Sequence, residues 1–474
     1  SGNLPLLYQR GFRGQIFATE ATRDLAQIML RDSAHIQMFE AEWRNRKAAR
    51  SGGKLKEFVP LYDMDAAVNV CKQFVGCEYD RVYDIAEGIK IRFTDVGHLL
   101  GSASIEVWAT EKTENGDVTE KIVFSGDIGN INKPIIKDPK HVRDADYVVM
   151  ESTYGNRSHG GTPNYVEDLT DIFKRTFERG GNVVIPSFAV GRTQELLYII
   201  RKIKEDNLVG RDFDVYMDSP LAIEATNIFI KNVESCFDDE AVELVRKGIN
   251  PLSFPGLKYA TTGDESKQIN FDPNPKVIIS SSGMCEAGRI RHHLKHNLWR
   301  PECTIVFVGY QAVGTTGRII VDGAEEIKLF GEPIQIKAEI VQLKGSSGHA
   351  DKDGLLCWIN AFDTKPKKVF VVHGEDSVCD EFTECLKEEY GYDAMAPYTG
   401  GSYDLIADRV ISEGVKERKT RRTTSTQRGK TVFDRLVAAG KRLMTVITHN
   451  EGGTNKDLAK FTDQINALCD KWDR

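Results

Sequence analysis

The chain has 474 residues, which is enough for about two or three domains with sizeable hydrophobic cores. Its hydrophobic share of 41% and charged share of 28% are typical of a globular protein, and no run approaches the roughly 18–20 apolar residues of a membrane span. The formal net charge of −7 argues against binding nucleic acid through bulk charge, although a local basic groove is compatible with it.

The cysteines indicate a reducing compartment. There are nine of them, an odd number without regular spacing, and no C-x-x-C pair occurs. The N-terminus also lacks the charged-then-apolar pattern of a secretory signal. We therefore expect a cytoplasmic protein without disulfides, without a cysteine zinc site and without a membrane partner.

The N-terminal region is predicted to be mainly helical. Residues 1–7 resemble the entry to a helix, and a short strand is expected at Gln15–Ala18. Apolar residues spaced three and four apart predict a second helix from about Thr22. The polar stretch Glu40–Lys56 is interpreted as its solvated end and a loop, and His35 as a structural histidine.

Three predicted strands are each followed by a polar residue. His98 lies in a glycine-rich loop after the alternating strand Ile89–Phe93. Asp127 follows the strand Lys121–Phe124 within S-G-D-I-G, where it is either a metal ligand or an aspartate of a turn. The strand Tyr147–Met150 leads directly to Glu151.

From about Thr162 the chain alternates strands with helices, which predicts a mostly parallel sheet. Its strands lead into the turns P-S-F-A-V-G-R-T-Q-E, D-S-P-L-A and S-S-S-G-M-C-E-A-G-R. Serine- and glycine-rich turns before helices can offer N–H groups to a phosphate, although no Walker loop occurs. A basic helix face is predicted from Arg289, Arg291, His292, His293, Lys295, His296 and Arg300.

Two further histidines follow the same pattern near the end of this region. His373 directly follows the apolar strand Val369–Val372, and His349 follows the loop Gly345–Gly348. Ligands of open α/β sheets bind at the carboxyl ends of strands. Either histidine alone is equally well explained as a hydrogen-bonded loop residue. Together with the residues above, they favour a metal-dependent site.

The C-terminal region has a different composition. Residues 416–430 hold seven basic residues and one acidic one, which indicates a linker or mobile arm. A helix is predicted around Phe433–Ile447. The apolar stripe of Leu458, Phe461, Ile465, Leu468 and Trp472 is typical of a core or an oligomer seam, and is compatible with a homodimer.

In motif order, residues 1 to about 412 resemble the metallo-β-lactamase fold, specifically its β-CASP branch of nucleases. G-H-L-L-G-S-A and F-S-G-D-I-G are similar to two of the family's metal motifs, with His98 and Asp127 as ligands. E-S-T-Y-G, S-S-G-H-A-D and V-V-H-G-E resemble its motifs A, B and C, at Glu151, His349 and His373. The turns of the middle region are similar to the inserted β-CASP domain.

One departure from the family concerns its main metal motif. No H-x-H-x-D-H sequence occurs, and the chain begins with S-G-N-L-P, which resembles the residues that follow that motif. We therefore expect a fragment of a longer protein in which the αββα sandwich lacks its N-terminal strands. Expressed from Ser1 alone, such a chain is expected to bind zinc weakly and to show no nuclease activity.

The resemblance implies a fold, a cofactor and a set of roles. The domains would be a metallo-β-lactamase domain (1–158 and 342–412), an inserted α/β β-CASP domain (159–341), and a basic linker with C-terminal helices (413–474). Two zinc ions would be bound by His98 and His373 with Asp127 shared, and His349 would be a proton donor oriented by Glu151. Phosphates of single-stranded RNA would be held by Ser187, Arg192, Ser281, Ser282, Arg289 and Ser347.

The implied activity is ribonuclease activity in RNA processing, endonucleolytic or exonucleolytic. A non-catalytic RNA-binding subunit and a small-molecule hydrolase of the same fold are the alternatives. Retention of all five ligand and motif residues argues against the first alternative. An inserted domain of about 180 residues suits a polymer better than a small ester and argues against the second.

Overall fold

The structure is a computed structural model that divides into two compact units, Ser1–Glu413 and Gly414–Arg474. It describes residues 2–50, 57–114, 116–158, 160, 164–343, 347–416, 439–440, 443–444, 446–451 and 454–472. Its elements up to residue 158 are α1 (Leu4–Gln9), β1 (Ile16–Thr19), α2 (Glu20–Arg50), α3 (Met64–Cys71), β2 (Phe74–Cys77), β3 (Val82–Ala86), β4 (Ile89–Asp95), β5 (Ala103–Thr113), β6 (Gly116–Phe124) and β7 (Tyr147–Glu151).

The middle of the first unit alternates helices and strands. Its elements are α4 (Tyr165–Glu178), β8 (Val183–Pro186), α5 (Arg192–Glu205), β9 (Asp214–Asp218), α6 (Pro220–Lys231), α7 (Val233–Cys236), α8 (Asp239–Arg246), β10 (Leu257–Tyr259), α9 (Gly263–Phe271), β11 (Lys276–Ser280), α10 (Ile290–Asn297), β12 (Thr304–Phe307), α11 (Thr316–Val321), β13 (Glu326–Leu329), β14 (Glu332–Gln335) and β15 (Glu339–Gln342). The unit ends with α12 (Lys352–Ile359), β16 (Lys368–Val372), α13 (Asp376–Glu388), β17 (Ala394–Met395), β18 (Ser402–Asp404) and β19 (Arg409–Ser412).

The helix α2 is longer than its apolar pattern predicts. It begins at Glu20, where the backbone N–H of Thr22 donates to the Thr19 hydroxyl at 3.2 Å, and it continues to Arg50. Residues 40–50 were predicted as a helix end and loop, but they are helical. The reason is that their Ala, Glu, Arg and Lys residues have high helix propensity. Residues 51–56 lie outside the described part.

A seven-stranded mixed sheet has the order β17-β16-β7-β6-β5-β4-β3. Helices α12 and α13 cover one face, where Trp358 and Phe382 pack on buried strand residues such as Val148 and Val369. On the other face several apolar side chains are only partly covered, and Phe124 is 41% exposed. The helix-covered face therefore forms the main core of this part.

A second sheet has six strands in the order β10-β9-β11-β8-β12-β15, and all of its pairs are parallel. Its central strands are buried along their whole length, and helices pack on both faces. Buried strands of this kind read as continuous apolar runs such as Val183–Ile185. The predicted parallel α/β insertion in a metallo-β-lactamase-type fold is confirmed.

The connectivity brings distant residues to one sheet edge. The chain leaves the seven-stranded sheet after β7, forms the six-stranded sheet, and returns as β16, which pairs parallel with β7. Because β6, β7 and β16 are parallel neighbours, their carboxyl ends lie at the same edge. The residues after β6, at the end of β7 and after β16 therefore meet there.

The predicted basic face on α10 is partly wrong. His293 is fully buried, and its Nε2 lies 2.6 Å from Oδ2 of Asp218 while its Nδ1 lies 3.0 Å from Oδ1 of Asn270. His292 instead stacks on Phe330 at 4.4 Å between ring centroids. The face of α10 that contains Ile290, His293, Leu294 and Asn297 is directed into the core.

The second unit contains the helix α14 (Asn455–Trp472). Three members of its predicted apolar stripe, Leu458, Phe461 and Ile465, are half-buried, whereas Leu468 is exposed. The basic stretch 417–430 and residues 433–437 of the preceding predicted helix lie outside the described residues. Within the described part of the chain, no helix is both long and apolar enough to cross a bilayer.

Candidate active site

The Asp127 carboxylate lies three residues beyond β6 in a turn that requires glycine. Gly126 has φ +63°, and a Cβ at that position would lie 2.5 Å from the carbonyl oxygen of Ala103. This close approach lets the turn present Asp127 at the sheet edge, where its side chain is 44% exposed. In the S-G-D sequence, the glycine is therefore required by the backbone conformation, and the aspartate supplies the carboxylate.

His98 is held in the loop between β4 and β5 by its backbone. Its N–H donates to the Ser102 hydroxyl at 3.0 Å, and its carbonyl accepts a hydrogen bond from Nζ of Lys133 at 2.9 Å. The preceding Gly97 has φ +64° and donates its N–H to Asp95 at 2.9 Å. The imidazole is almost fully buried, with Nε2 at 3.9 Å from Oδ2 of Asp127.

His349 is paired with Glu151, the last residue of β7. Its Nδ1 lies 3.1 Å and 3.2 Å from the two carboxylate oxygens. The backbone around His349 is tied to the loop after β6, because Ala350 N donates to Ile128 O at 2.8 Å. The Glu151 carboxylate also accepts from the backbone N–H groups of Ile128 and Thr153.

His373 directly follows β16 with φ +51°, a conformation that is uncommon outside glycine. Its Nδ1 lies 3.3 Å from Oδ1 of Asp127 and 3.3 Å from the hydroxyl of Thr153. The side chain is more than half exposed. One carboxylate oxygen of Asp127 therefore faces His373, and the other faces His98.

The five residues predicted from strand ends are thus brought together. The ring centroids of His98 and His349 are 4.3 Å apart, and those of His349 and His373 are 5.9 Å apart. Among the described residues, His98, Asp127 and His349 each offer one donor atom, and these three atoms all lie within 4.8 Å of one another. His349, interpreted from the sequence as a proton donor, therefore lies as close to the group as a ligand would.

The two buried imidazoles have opposite pKa shifts. Burial, together with the neighbouring His349 and Lys133, lowers the pKa of His98 to about 4. Burial also lowers the pKa of His349, but the hydrogen bond and charge of Glu151 outweigh it, so the net shift is upward. Burial raises the pKa of Glu151, and its hydrogen bonds to His349, Thr153 and Ile128 reverse this to a net decrease. At neutral pH, His98 is neutral and Glu151 is ionised.

These groups suit a zinc-type metal ion. His98 is neutral, as a ligand must be, and its buried Nδ1 has no hydrogen-bond partner among the described residues. Each carboxylate oxygen of Asp127 lies near an imidazole nitrogen of a different histidine. Imidazole nitrogen and carboxylate oxygen are donors that zinc accepts.

A cavity of about 1170 Å³ opens beside this group. It is lined by His98 and His349 and by residues that follow strands of the parallel sheet. Of the predicted phosphate-binding residues, Arg192, Ser281, Ser282, Arg289 and Ser347 line the cavity. Arg289 is fixed there, because it donates to Asp218 at 2.7 Å and to the carbonyls of Ala260 and Thr261.

Ser187 does not lie at the cavity. Its side chain is buried, its hydroxyl accepts from Oγ1 of Thr193 at 3.0 Å, and it donates to the carbonyl of Phe188 at 3.3 Å. These hydrogen bonds fix the turn between β8 and α5. The prediction of Ser187 as a phosphate ligand is therefore wrong.

Sequence reasoning missed several residues that organise the site. Lys133 forms an ion pair with buried Glu195 at 3.1 Å, and Glu195 also pairs with Arg192 at 2.6 Å. No local pattern in I-N-K-P indicates this role. Asp218, at the end of β9, had the same strand-then-aspartate signal as Asp127 and accepts hydrogen bonds from His293 and Arg289.

Comparison with known proteins matches two domain families in this chain. Residues 193–320 match the Beta-Casp domain, and residues 333–397 match the Zn-dependent metallo-hydrolase RNA specificity domain. The chain is 32% identical over 375 residues to Ribonuclease TTHA0252 of Thermus thermophilus, covering 79% of this chain and 78% of that protein.

Two archaeal proteins are also similar. Transcription termination factor FttA of Methanosarcina mazei is 32% identical over 405 residues, which cover 83% of this chain but only 60% of that factor. An RNase J-like protein of Methanocaldococcus jannaschii is 35% identical over 295 residues, or 61% of this chain and 65% of that protein. The resemblance read from the motifs is confirmed, and the chain belongs to the β-CASP branch of the metallo-β-lactamase family of RNA nucleases.

Proposed function

We propose that this protein is a zinc-dependent ribonuclease that hydrolyses phosphodiester bonds of single-stranded RNA in the cytoplasm. The observation that supports it most is the arrangement of His98 and His373 on the two oxygens of Asp127, beside the His349–Glu151 pair, at the wall of a large cavity. The similarity to a protein named as a ribonuclease supports the same reaction class.

The proposed metal ligands are His98, Asp127 and His373, with Asp127 shared between two ions. Zinc bound there would supply positive charge beside the phosphate and a water with a pKa near 7. The burial of His98 keeps its imidazole neutral, and the turn at Gly126 holds the carboxylate between the two histidines. The Thr153 hydroxyl donates to the carbonyl of His373 at 3.2 Å, which holds the residue that carries this imidazole in place.

His349 is the proposed general acid. Glu151 occupies its Nδ1 and raises the pKa of the ring above its ordinary value, which favours the protonated form and leaves Nε2 as the nitrogen that can donate to the leaving oxygen. The backbone N–H groups of Ile128 and Thr153 hold the Glu151 carboxylate in place. The pair therefore delivers a proton from a fixed position.

The cavity wall formed by the parallel sheet would bind the RNA backbone. Arg192, Arg289, Ser281, Ser282 and Ser347 offer charge and hydroxyl groups there. In this proposal the catalytic domain comprises residues 1–158 and 342–412, the RNA-binding insertion comprises 159–341, and 413–474 form a C-terminal region.

The test measures zinc content and cleavage of single-stranded RNA and of DNA of the same sequence by the full-length protein. We expect RNA cleavage that is lost in Asp127→Ala together with bound zinc, while His296→Ala, an exposed histidine of the insertion, leaves both unchanged. RNA binding without cleavage would favour a non-catalytic subunit. Ester hydrolysis without RNA cleavage would favour a small-molecule hydrolase.

A second candidate function is supported by the relatives named transcription termination factors, which match over 83–84% of this chain. The protein would then act on nascent RNA at the polymerase. This is tested by measuring the release of transcripts from stalled elongation complexes formed with purified archaeal RNA polymerase. Cleavage of free RNA without release would leave the first function alone.

A further inference from the structure

Two aromatic side chains are exposed on the cavity wall formed by the parallel sheet. Phe188 is 43% exposed and Tyr310 is 54% exposed. Phe188 lies two residues beyond β8 and Tyr310 three residues beyond β12, and these strands are parallel neighbours. Both rings therefore come from the same edge of the sheet, and they line the same cavity as His98 and His349.

The ring of Phe188 packs closely against neighbouring backbone. A Cβ on Gly283 would lie 3.1 Å from Cδ2 of this ring, and a Cβ on Gly309 would lie 3.7 Å from its Cε2. The ring thus rests against two glycines that leave no side chain over it. Its carbonyl accepts a hydrogen bond from Oγ1 of Thr193 at 2.7 Å, which holds the turn.

Groups that suit a nucleic-acid backbone surround these rings. Ser219, Ser281, Ser282 and Arg289 line the same cavity, and Arg289 is held by Asp218. A groove that combines cationic and hydroxyl groups with exposed aromatic rings is the arrangement that binds single-stranded nucleic acid, because each unpaired base has a face that can stack.

We propose, on the basis of the ribonuclease function above, that Phe188 and Tyr310 form a base-stacking platform for unpaired bases of the RNA substrate. The platform selects single-stranded RNA, because the bases of a duplex are already stacked and paired. The two residues bind substrate and take no part in proton transfer. They act on affinity and KM, whereas His349 acts on kcat.

The test uses equilibrium binding of short single-stranded RNAs to the full-length protein in a His349→Ala background. In each RNA, one ribose at a successive position lacks its base. At one or two of these positions, the missing base should weaken binding about 5- to 150-fold, as expected for the loss of one stacked base. Phe188→Ala should weaken the binding of intact RNA by a similar factor. In this variant the abasic site should weaken binding only slightly further.

Variants separate the ring from its surroundings. Phe188→Tyr and Tyr310→Phe keep a ring and should keep affinity, whereas Phe188→Leu keeps apolar volume and should lose it. Phe271→Ala is the matched control, because Phe271 is 71% exposed in the insertion and does not line the cavity. Binding of duplex RNA should not change in any of these variants.

The outcomes distinguish the platform from the function it rests on. The platform is wrong if the losses of binding free energy caused by Phe188→Ala and by every abasic position simply add. It is also wrong if Phe188→Leu binds RNA like the wild type. Neither result contradicts zinc-dependent cleavage of RNA. If the protein with both rings intact neither binds nor cleaves single-stranded RNA, the proposed function fails and the platform with it.

Discussion

The imidazole of His349 has two sets of neighbours that predict different roles. Glu151 holds its Nδ1 and raises its pKa, which suits a proton donor. Yet one of its nitrogens lies within 4.8 Å of the donor atoms of His98 and Asp127, which suits a metal ligand. The two roles differ in what happens to bound zinc when the side chain is removed.

We expect His349→Ala in the full-length protein to lower kcat for RNA cleavage by about 10² to 10⁴, the usual effect of losing a general acid. Zinc content should remain that of the wild type, because His98, Asp127 and His373 are unchanged. Metal analysis and steady-state kinetics check both parts. Loss of zinc from this variant would instead place His349 in the ligand set.

At the scale of single elements, the seven-stranded sheet holds a buried charge. Glu106 on β5 is fully buried and binds Arg92 on β4 through two hydrogen bonds of 2.7 and 2.6 Å. Lys121 on β6 lies 2.8 Å from the same carboxylate, and the Thr94 hydroxyl donates to it. A carboxylate removed from water is stable there only because these partners surround it.

Glu106→Ala should therefore lower the free energy of unfolding by about 3 kcal/mol, the low end for breaking a buried pair, because Arg92 remains one-third exposed. Urea unfolding measures this. Glu111→Ala, an exposed site on the same strand, should change the free energy of unfolding by less than about 0.5 kcal/mol. Equal effects of the two substitutions would contradict the argument.

The same group predicts a dependence of stability on pH. Burial raises the pKa of Glu106, but hydrogen bonds from Arg92, Lys121 and Thr94 outweigh it and hold the pKa below the ordinary 4.5. Its stabilisation is thus fully present above pH 4.5 and is lost as pH falls through the lowered value. Wild type and Glu106→Gln should differ less in unfolding free energy at pH 3 than at pH 7.

The sequence predicted elements better than it predicted contacts between them. β-Branched runs such as Val183–Ile185 favour buried strands, and the polar residues at strand ends pointed to the candidate site. Long-range partners such as Lys133 and Glu195 leave no local signal, because folding alone brings them together. The error at His293 was avoidable, since its spacing from Ile290 already places both on one helix face.

At the level of the whole first unit, an ion-pair cluster around Glu195 links the insertion to the rest of the fold. Glu195 on α5, in the insertion, binds Lys133 from the loop after β6, and Lys133 donates to the carbonyl of His98. The burial of Glu195 raises its pKa, but Arg192 and Lys133 outweigh this and lower it. The insertion therefore supports the loop that carries a proposed metal ligand.

Glu195→Ala should leave buried Lys133 without its carboxylate and cost about 3–5 kcal/mol of unfolding free energy. It should also reduce zinc affinity, because the His98 loop loses support. Chemical denaturation and zinc titration check the two effects. Glu178→Ala, an exposed position on α4, serves as the control. Unchanged stability together with unchanged zinc affinity would show that the two parts are joined by other contacts.

The pairing of β7 with β16 has a consequence for synthesis on the ribosome. About 220 residues separate the end of β7 from the start of β16. At the usual elongation rates of about 5–20 residues per second, roughly 10 to 45 s pass before the second strand emerges. During that interval β7 is an unpaired edge that can pair with other nascent chains. Ribosome pausing within the insertion should lengthen this interval and increase aggregation, and a chaperone that shields the nascent edge should reduce it.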